Sequence, residues 1–245
     1  MTFAVAPGEI LGVIGPNGAG KTTLFDLISG FLTSDGGRVV LGTEDVSRKP
    51  ADARARLGLG RSFQDARLFP NLTVEETIKV ALERWVQVKD PFNAMLRLPA
   101  QVDAEFAVGQ RVDELIALMG MERFRSKFVR ELSTGSRRIV DMACVMAHRP
   151  SVVLLDEPSS GIAQRETEAL GPLIRRIRDS LGAAVLVVEH DMGLVASVSD
   201  RLLALEQGHV VTSGPPDEVL RHPRVIESYL GTREDVVARS GRPPT

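Results

Sequence analysis

"GPNGAGKTT" occupies residues 15–23, and its reading decides the fold. Gly15 through Thr22 fit the spacing G-x-x-x-x-G-K-[ST]. The apolar run "ILGVIG" (10–15) leads into it with the character of a buried strand. "KTTLFDLISGF" (21–31) leads out of it, with Leu24, Phe25, Leu27, Ile28 and Phe31 forming an apolar stripe at helical spacing. Strand, glycine-rich turn and helix in that order have a physical use. The glycines let the backbone turn its N–H groups inward at anionic oxygens, and the helix N-terminus adds the positive end of its dipole. Lys21 supplies a point charge for phosphates and Thr22 a hydroxyl for Mg²⁺. Gly15, Pro16, Asn17, Gly18, Ala19, Gly20, Lys21, Thr22 and Thr23 are therefore the candidate phosphate-binding set. The plainer alternative, a glycine turn that only caps a helix, does not require the whole pattern in this setting.

The bulk numbers allow a sizeable core. With 245 residues, 43% of them hydrophobic, the chain can fold as one domain or as a domain with a subdomain. A formal net charge of −2 provides no basic field, which argues against nucleic acid as a partner. The one cysteine, Cys144, cannot form an internal disulfide, no zinc-ligand spacing occurs, and a reducing compartment fits. Cys144 lies in the apolar helical run "IVDMACVMA" and reads as a buried thiol. No apolar run approaches the length of a membrane span, and "MTFAVAPGEI" is no secretory signal. Membrane association then has to come through a partner.

Outward from the loop, short β-branched runs alternate with helical patterns, the signature of a layered α/β domain with a largely parallel sheet. "SVVLLDE" (151–157) and "AAVLVVEH" (183–190) read as strands covered on both faces. "RLLALEQGHVVTSG" (201–214) reads as a hairpin turning at Gln207–Gly208. From Leu72 to Leu132 the pattern offers no strand. "TVEETIKVALERWV" and "AEFAVGQRVDELIALMGM" are amphipathic helices separated by the proline-containing "KDPFNAMLRLPAQ". The predicted organisation is an α/β core over 1–71 and 133–231, a helical subdomain over 72–132, and a disordered tail over 232–245 that includes "GRPPT".

"VVLLDEP" ends its strand on Asp156, Glu157 and Pro158. Carboxylates at the C-terminal end of a parallel strand stand where α/β sheets bind ligands. Asp156 is placed to hold Mg²⁺ through water. Glu157 is placed to orient and deprotonate an attacking water. An acidic strand end alone is commonly a turn, so the pair gains its meaning from the phosphate loop.

With these pieces in order, the chain resembles the ATP-binding subunit of ABC transporters. The resemblance rests on the phosphate loop, Gln64 in "RSFQD", a helical stretch, "LSTGSRR" (132–138), "VVLLDEP", "SSGIAQ", and His190 in "VVEHDM". It implies an α/β P-loop NTPase core of ABC type with an inserted α-helical subdomain, ATP and Mg²⁺ as ligands, and a head-to-tail dimer that sandwiches two nucleotides. Ser133 and the Gly135 backbone would grip the γ-phosphate bound by the partner chain. Gln64 would touch Mg²⁺ and the lytic water, and His190 the γ-phosphate. Thus Glu157, His190, Gln64 and Lys21 are the expected catalytic set, and Thr22, Gln64 and Asp156 the expected metal set. Ser133 also reads as the N-cap of the helix that follows, and both roles are compatible. Arg67, Leu68 and Phe69 fall where such subunits receive a short helix of the membrane subunit.

Two departures stand out. The family has a longer segment ahead of its phosphate loop, with a strand and an aromatic that stacks on adenine, whereas fourteen residues precede Gly15. A truncated N-terminal β region without that aromatic predicts nucleotide binding weaker by about 1–3 kcal/mol. Thr134 and Ser136 depart from the usual LSGGQ at its third and fifth letters, and Ala163 stands where an Asp or Asn communicates across the dimer. "QDARLFPNLTVEETI", the insert around "PFNAMLRLPA", "VVEHDMGLVASVSDR" and "VIESYLG" look like the subclass serving branched-chain amino-acid importers. A related lipopolysaccharide-extracting subclass shares the "YLG" ending. The expected partners are a second ATP-binding subunit, identical or paralogous, membrane permease subunits and, indirectly, an extracytoplasmic solute-binding protein. The expected location is peripheral, on the cytoplasmic face of the plasma membrane. A soluble ABC-type ATPase or a P-loop small-molecule kinase are the competing classes.

Overall fold

A computed structural model describes residues 1–63, 68–83, 99–162 and 164–229, with backbone alone at 99–104 and 164–166. Gln64, Arg67, Ala163, most of the proline-containing insert and the tail lie outside the described residues.

The three apolar runs form the centre of a six-stranded sheet. Strands β1 (Ile10–Ile14), β4 (Leu59–Ser62), β5 (Val152–Asp156), β6 (Ala184–Val188), β7 (Arg201–Glu206) and β8 (His209–Gly214) line up in the order β4-β5-β6-β1-β7-β8. All neighbours are parallel except β7 and β8, the hairpin. That hairpin turns at Gln207 and Gly208, both at positive φ (48° and 79°), the primed-turn geometry whose twist suits adjacent antiparallel strands. Two short strands, β2 (Val40–Leu41) and β3 (Glu44–Asp45), pair separately.

Both faces of the parallel sheet are covered, as its unbroken apolar strands require. Pleating sends alternate residues to opposite sides. Ile10, Val153, Leu155, Val185 and Val187 join one buried cluster with residues of helices α3 (Val74–Leu82), α4 (Pro99–Met119), α5 (Thr134–Met146) and α6 (Gln164–Leu181). Leu11, Val13, Leu154, Leu186 and Val188 join another with Leu24 and Phe25 of α1 (Lys21–Ser29). A third cluster gathers Ile14, Leu202 and Ala204 with Val195 of α7 (Met192–Val198), Val219 of α8 (Pro216–Leu220) and Val225. Gly12 marks where α7 crosses β1, because a Cβ there would lie 2.5 Å from both Leu202 Cδ2 and Ser199 Oγ. The short helix α2 (Ala51–Arg56) completes the described elements ahead of β4.

Helix ends follow local chemistry. Thr73 caps α3 through a reciprocal box with Glu76, and Asp191 caps α7 by accepting from the Leu194 N–H at 2.9 Å. One sequence expectation fails here. Phe31 does not extend the stripe of α1, because Gly30 takes a left-handed φ of 82° and ends the helix. Phe31 is 58% exposed and meets Phe63 edge to face, with ring centroids 5.6 Å apart.

Candidate functional site

The site is built at the C-terminal ends of β1, β4, β5 and β6, the edge where open parallel sheets bind ligands. β1 delivers Gly15, which is buried at φ 156° with no room for a side chain, since a Cβ would sit 2.3 Å from Leu205 O. Gly18 and Gly20 take positive φ (81° and 96°), so the backbone curls ahead of α1. The first N–H groups of α1 have no acceptor within the helix by construction. Lys21 is buried, and its Nζ donates to the carbonyls of Gly15 (2.7 Å) and Pro16 (3.1 Å). Burial lowers its pKa, while Glu157 and Asp156 act in the opposite sense. A buried ammonium whose hydrogen bonds, among the described residues, go to neutral carbonyls, in front of a helix N-terminus, fits an anion such as phosphate, which makes stronger charge-assisted bonds.

Asp156 ends β5 and is buried. Burial raises its pKa, opposed by Arg61, whose Nη2 donates to Asp156 Oδ2 at 3.1 Å. Arg61 Nη1 donates to Asp26 Oδ1 (2.6 Å) and Ser29 Oγ (2.7 Å). Its guanidinium carbon lies 5.8, 5.7 and 5.0 Å from the ring centres of Phe25, Phe31 and Phe63. Thr22, exposed at the start of α1, and Asp156 offer hard oxygen donors of the kind Mg²⁺ takes. Gln64, the third expected donor, lies outside the described residues.

Glu157 follows in a left-handed backbone (φ 45°), which re-aims its side chain away from the strand. Its N–H donates to Val188 O at 2.9 Å, tying the ends of β5 and β6 together. Its carboxylate Oε1 lies 2.8 Å from His190 Nε2, so two expected catalytic residues, 33 positions apart, are in direct contact. Buried Glu189 fixes the same corner. It accepts from Ser159 N–H (2.7 Å), Ser159 Oγ (2.8 Å) and His190 N–H (3.1 Å).

The stretch "LSTGSRR" is carried by a different element. Ser133 is the N-cap of α5, its Oγ accepting from Ser136 N–H at 3.1 Å. Ser133 and Thr134 are exposed at that N-terminus and Gly135 is buried beneath them. From the same helix Arg138, buried, donates to Glu157 O at 3.2 Å and to Phe63 O. Thus the helix that begins with Ser133 is bonded to the backbone of Glu157.

Three of these residues escaped the sequence reading. Arg61 is a charge inside the otherwise small and apolar "LGLGRS", which is a signal. Glu189 hides behind His190, and Arg138 is one of an ordinary basic pair. A cavity of about 450 Å³ opens beside the site, lined by Phe31, Arg61, Phe63, Asp141, Cys144 and His148 among others. Burial pushes Asp141 up to about 6 and Cys144 up to about 12; Cys144, expected as a buried thiol, is half-buried and lines the cavity wall. Leu68 packs on the core and Phe69 is 59% exposed.

Comparison with known proteins agrees with this geometry. The family model described as "ABC transporter" matches residues 1–160. A second, "Branched-chain amino acid ATP-binding cassette transporter", matches residues 209–235. The chain is 34% identical over 225 residues to the high-affinity branched-chain amino acid transport ATP-binding protein LivG of Escherichia coli, covering 92% of this chain and 88% of that one. It is also 34% identical over 231 residues to the E. coli lipopolysaccharide export system ATP-binding protein LptB, covering 94% and 89%. Among solved structures, cbiO1 from Clostridium perfringens, part of the ABC transporter complex cbiONQ, superposes with a TM-score of 0.77 at 26% identity, covering 93% of this chain and 85% of that one.

Proposed function

The chain belongs to the ABC transporter family as one of its ATP-hydrolysing subunits, and on that premise we propose that it powers the import of branched-chain amino acids through a head-to-tail dimer. The observation that carries the chemistry is the Glu157–His190 contact at 2.8 Å, standing at strand ends beside the phosphate loop. In this reading Lys21 leaves its two carbonyls for the β- and γ-phosphates, and the N–H groups of residues 15–23 surround the phosphate oxygens. Glu157 accepts a proton from water as the water oxygen bonds to the γ-phosphorus and the bond to the β-phosphate oxygen breaks, giving ADP and phosphate. His190 orients Glu157 and meets the γ-phosphate. Thr22, Asp156 and Gln64 would hold Mg²⁺, which when bound neutralises charge on the phosphate oxygens.

Ser133 and Gly135 complete the site of a second copy or of a paralogous subunit. An exposed hydroxyl at a helix N-terminus supports this role, and the bond from Arg138 to Glu157 O gives it a path to the general base. Mixing two inactive variants, Lys21→Ala and Ser133→Arg, tests it. The mixture regains part of the ATPase rate if one composite site receives both intact halves. No regain would leave a self-contained hydrolase or kinase.

The division into a core over 1–71 and 133–231 and a helical subdomain over 72–132 is part of the same reading. Arg67, Leu68 and Phe69 fall near the end of the first core segment, and exposed Phe69 suits a permease helix docking there. No helix among the described residues is long and apolar enough to cross a membrane, so the permease would hold the chain at the inner face, with a solute-binding protein acting through it. The equal identity to a lipopolysaccharide export protein supports a second reading. The match at 209–235 favours amino acids. Uptake of labelled leucine, isoleucine and valine by a strain lacking this chain separates the two. Undiminished uptake would discard the import reading.

A further inference from the structure

Tyr229, the chain's single tyrosine, reaches back across the sequence to the start of the phosphate loop. Its hydroxyl oxygen accepts the Gly15 N–H at 2.7 Å, between residues 214 positions apart. Gly15 is buried, so this amide needs an internal partner. The ring packs on the apolar cluster of Ile14, Val195, Leu202, Ala204, Val219 and Val225, and the hydroxyl is raised in pKa by burial.

Two further contacts join the same part of the chain to the loop. Gly208 N–H, at the β7–β8 turn, donates to Ala19 O at 2.9 Å. Leu205 O stands where a side chain on Gly15 would be. The helical residues 223–229 are themselves pinned to the end of β7 by Arg224 Nη2 on Glu206 Oε2 at 2.8 Å. The C-terminal segment therefore braces the phosphate loop at both of its shoulders, Gly15 and Ala19. On Gly15 the two peptide groups have opposite duties. The N–H is fixed by Tyr229, while the carbonyl holds Lys21 Nζ at 2.7 Å and must release it when phosphate arrives.

We propose that Tyr229 is a positioning residue for nucleotide binding, fixing the first peptide of the phosphate loop so that the C-terminal helix sets the affinity for ATP. The inference rests on the reading of residues 15–23 as the phosphate site. The loop has to hold its shape both for bound nucleotide and during hydrolysis, so loosening it weakens both states alike. Such a loss raises KM and leaves kcat nearly unchanged.

In Tyr229→Phe the ring keeps its packing and the Gly15 amide loses its acceptor. The expected result is a rise in the ATP KM and the ADP Kd of about tenfold, within the range for an unpaired buried amide, with kcat unchanged within about twofold. A purely structural tyrosine would lower the melting temperature and leave both constants where they were, and that result overturns the proposal. A second measurement uses the parent protein. Uniform 3-fluorotyrosine labelling marks this one site, and its single ¹⁹F resonance should move on saturation with ADP. An unmoved resonance also overturns the proposal. Lys21→Ala, assayed alongside, should lose ADP binding. If it binds like the parent, the failure lies with the phosphate-loop reading and not with Tyr229 alone.

Discussion

Replacing Arg61 with leucine should be among the most damaging single changes in the chain, because Arg61 is the counter-charge of a buried carboxylate. The Arg61 and Asp156 side chains are 7% and 9% exposed, whereas Asp26, the other partner, is 29% exposed. Leucine keeps part of the apolar stem, so the cost is mainly electrostatic. Asp26 can recover water more fully than Asp156 can. Breaking a buried pair by removing one partner costs about 3–5 kcal/mol, and loss of the guanidinium over three phenylalanine rings adds up to about 1 kcal/mol. A loss of about 4 kcal/mol is a large share of a typical domain stability of about 5–15 kcal/mol. The pH dependence identifies the source. Burial already holds the folded-state pKa of Asp156 above its ordinary value, and Arg61 opposes that shift. Without Arg61 it rises further. For an acid with a raised folded-state pKa, the penalty is complete above that pKa and fades as pH falls through it toward the unfolded value. Urea unfolding of Arg61→Leu and the parent should therefore show a gap that is widest near pH 8 and narrows toward pH 5. Arg61→Leu combined with Asp156→Asn should recover much of the loss at pH 8. A loss below about 1 kcal/mol, a gap independent of pH, or no recovery in the double variant would refute the argument.

Other outcomes follow from the same geometry. Glu157→Gln should cut ATP hydrolysis by about 10²–10⁴-fold while ATP binding persists, so that a dimer accumulates in Mg-ATP on sizing chromatography. A monomer under those conditions would count against the composite site. Asp141→Asn should stabilise the protein at high pH, because burial lifts the folded-state pKa to about 6 against an ordinary 3.8, with Arg138 opposing. The gain should reach up to about 3 kcal/mol above pH 7 and vanish below pH 4 or so. Thermal unfolding across that range measures it, and an equal stability at pH 8 would rule it out.

Much of the fold was legible because its signals are local. The three central strands announce themselves as short apolar runs, since a strand covered on both faces needs no polar alternation. The β7–β8 turn is legible in Gly208, because positive φ is costly for most residues other than glycine. Phe31 was misplaced for an equally local reason. The apolar period continued past Gly30, but a glycine at that point is a better stop signal than an apolar residue is a signal to continue. Sheet order was not legible. Nothing in the sequence says that β1 lies between β6 and β7, yet that order places the phosphate loop beside the ends of β5 and β6.

The site divides along the same line. Lys21, Asp156, Glu157 and His190 could be named because each sits in a short pattern whose chemistry is readable at that point in the chain. Arg61, Arg138, Glu189 and Tyr229 could not, because their meaning lies in partners 19 to 214 positions away. Those four share one kind of duty. Arg61 holds the carboxylate of Asp156, Arg138 the backbone of Glu157, Glu189 the corner that carries His190, and Tyr229 the amide of Gly15. Each uses a polar group buried wholly or in part, where an unpaired donor or acceptor is expensive. The groups expected to meet nucleotide are thus held by groups that would not meet it. A substitution in the second set should therefore change stability and affinity together, whereas Glu157→Gln should change turnover and leave stability nearly untouched.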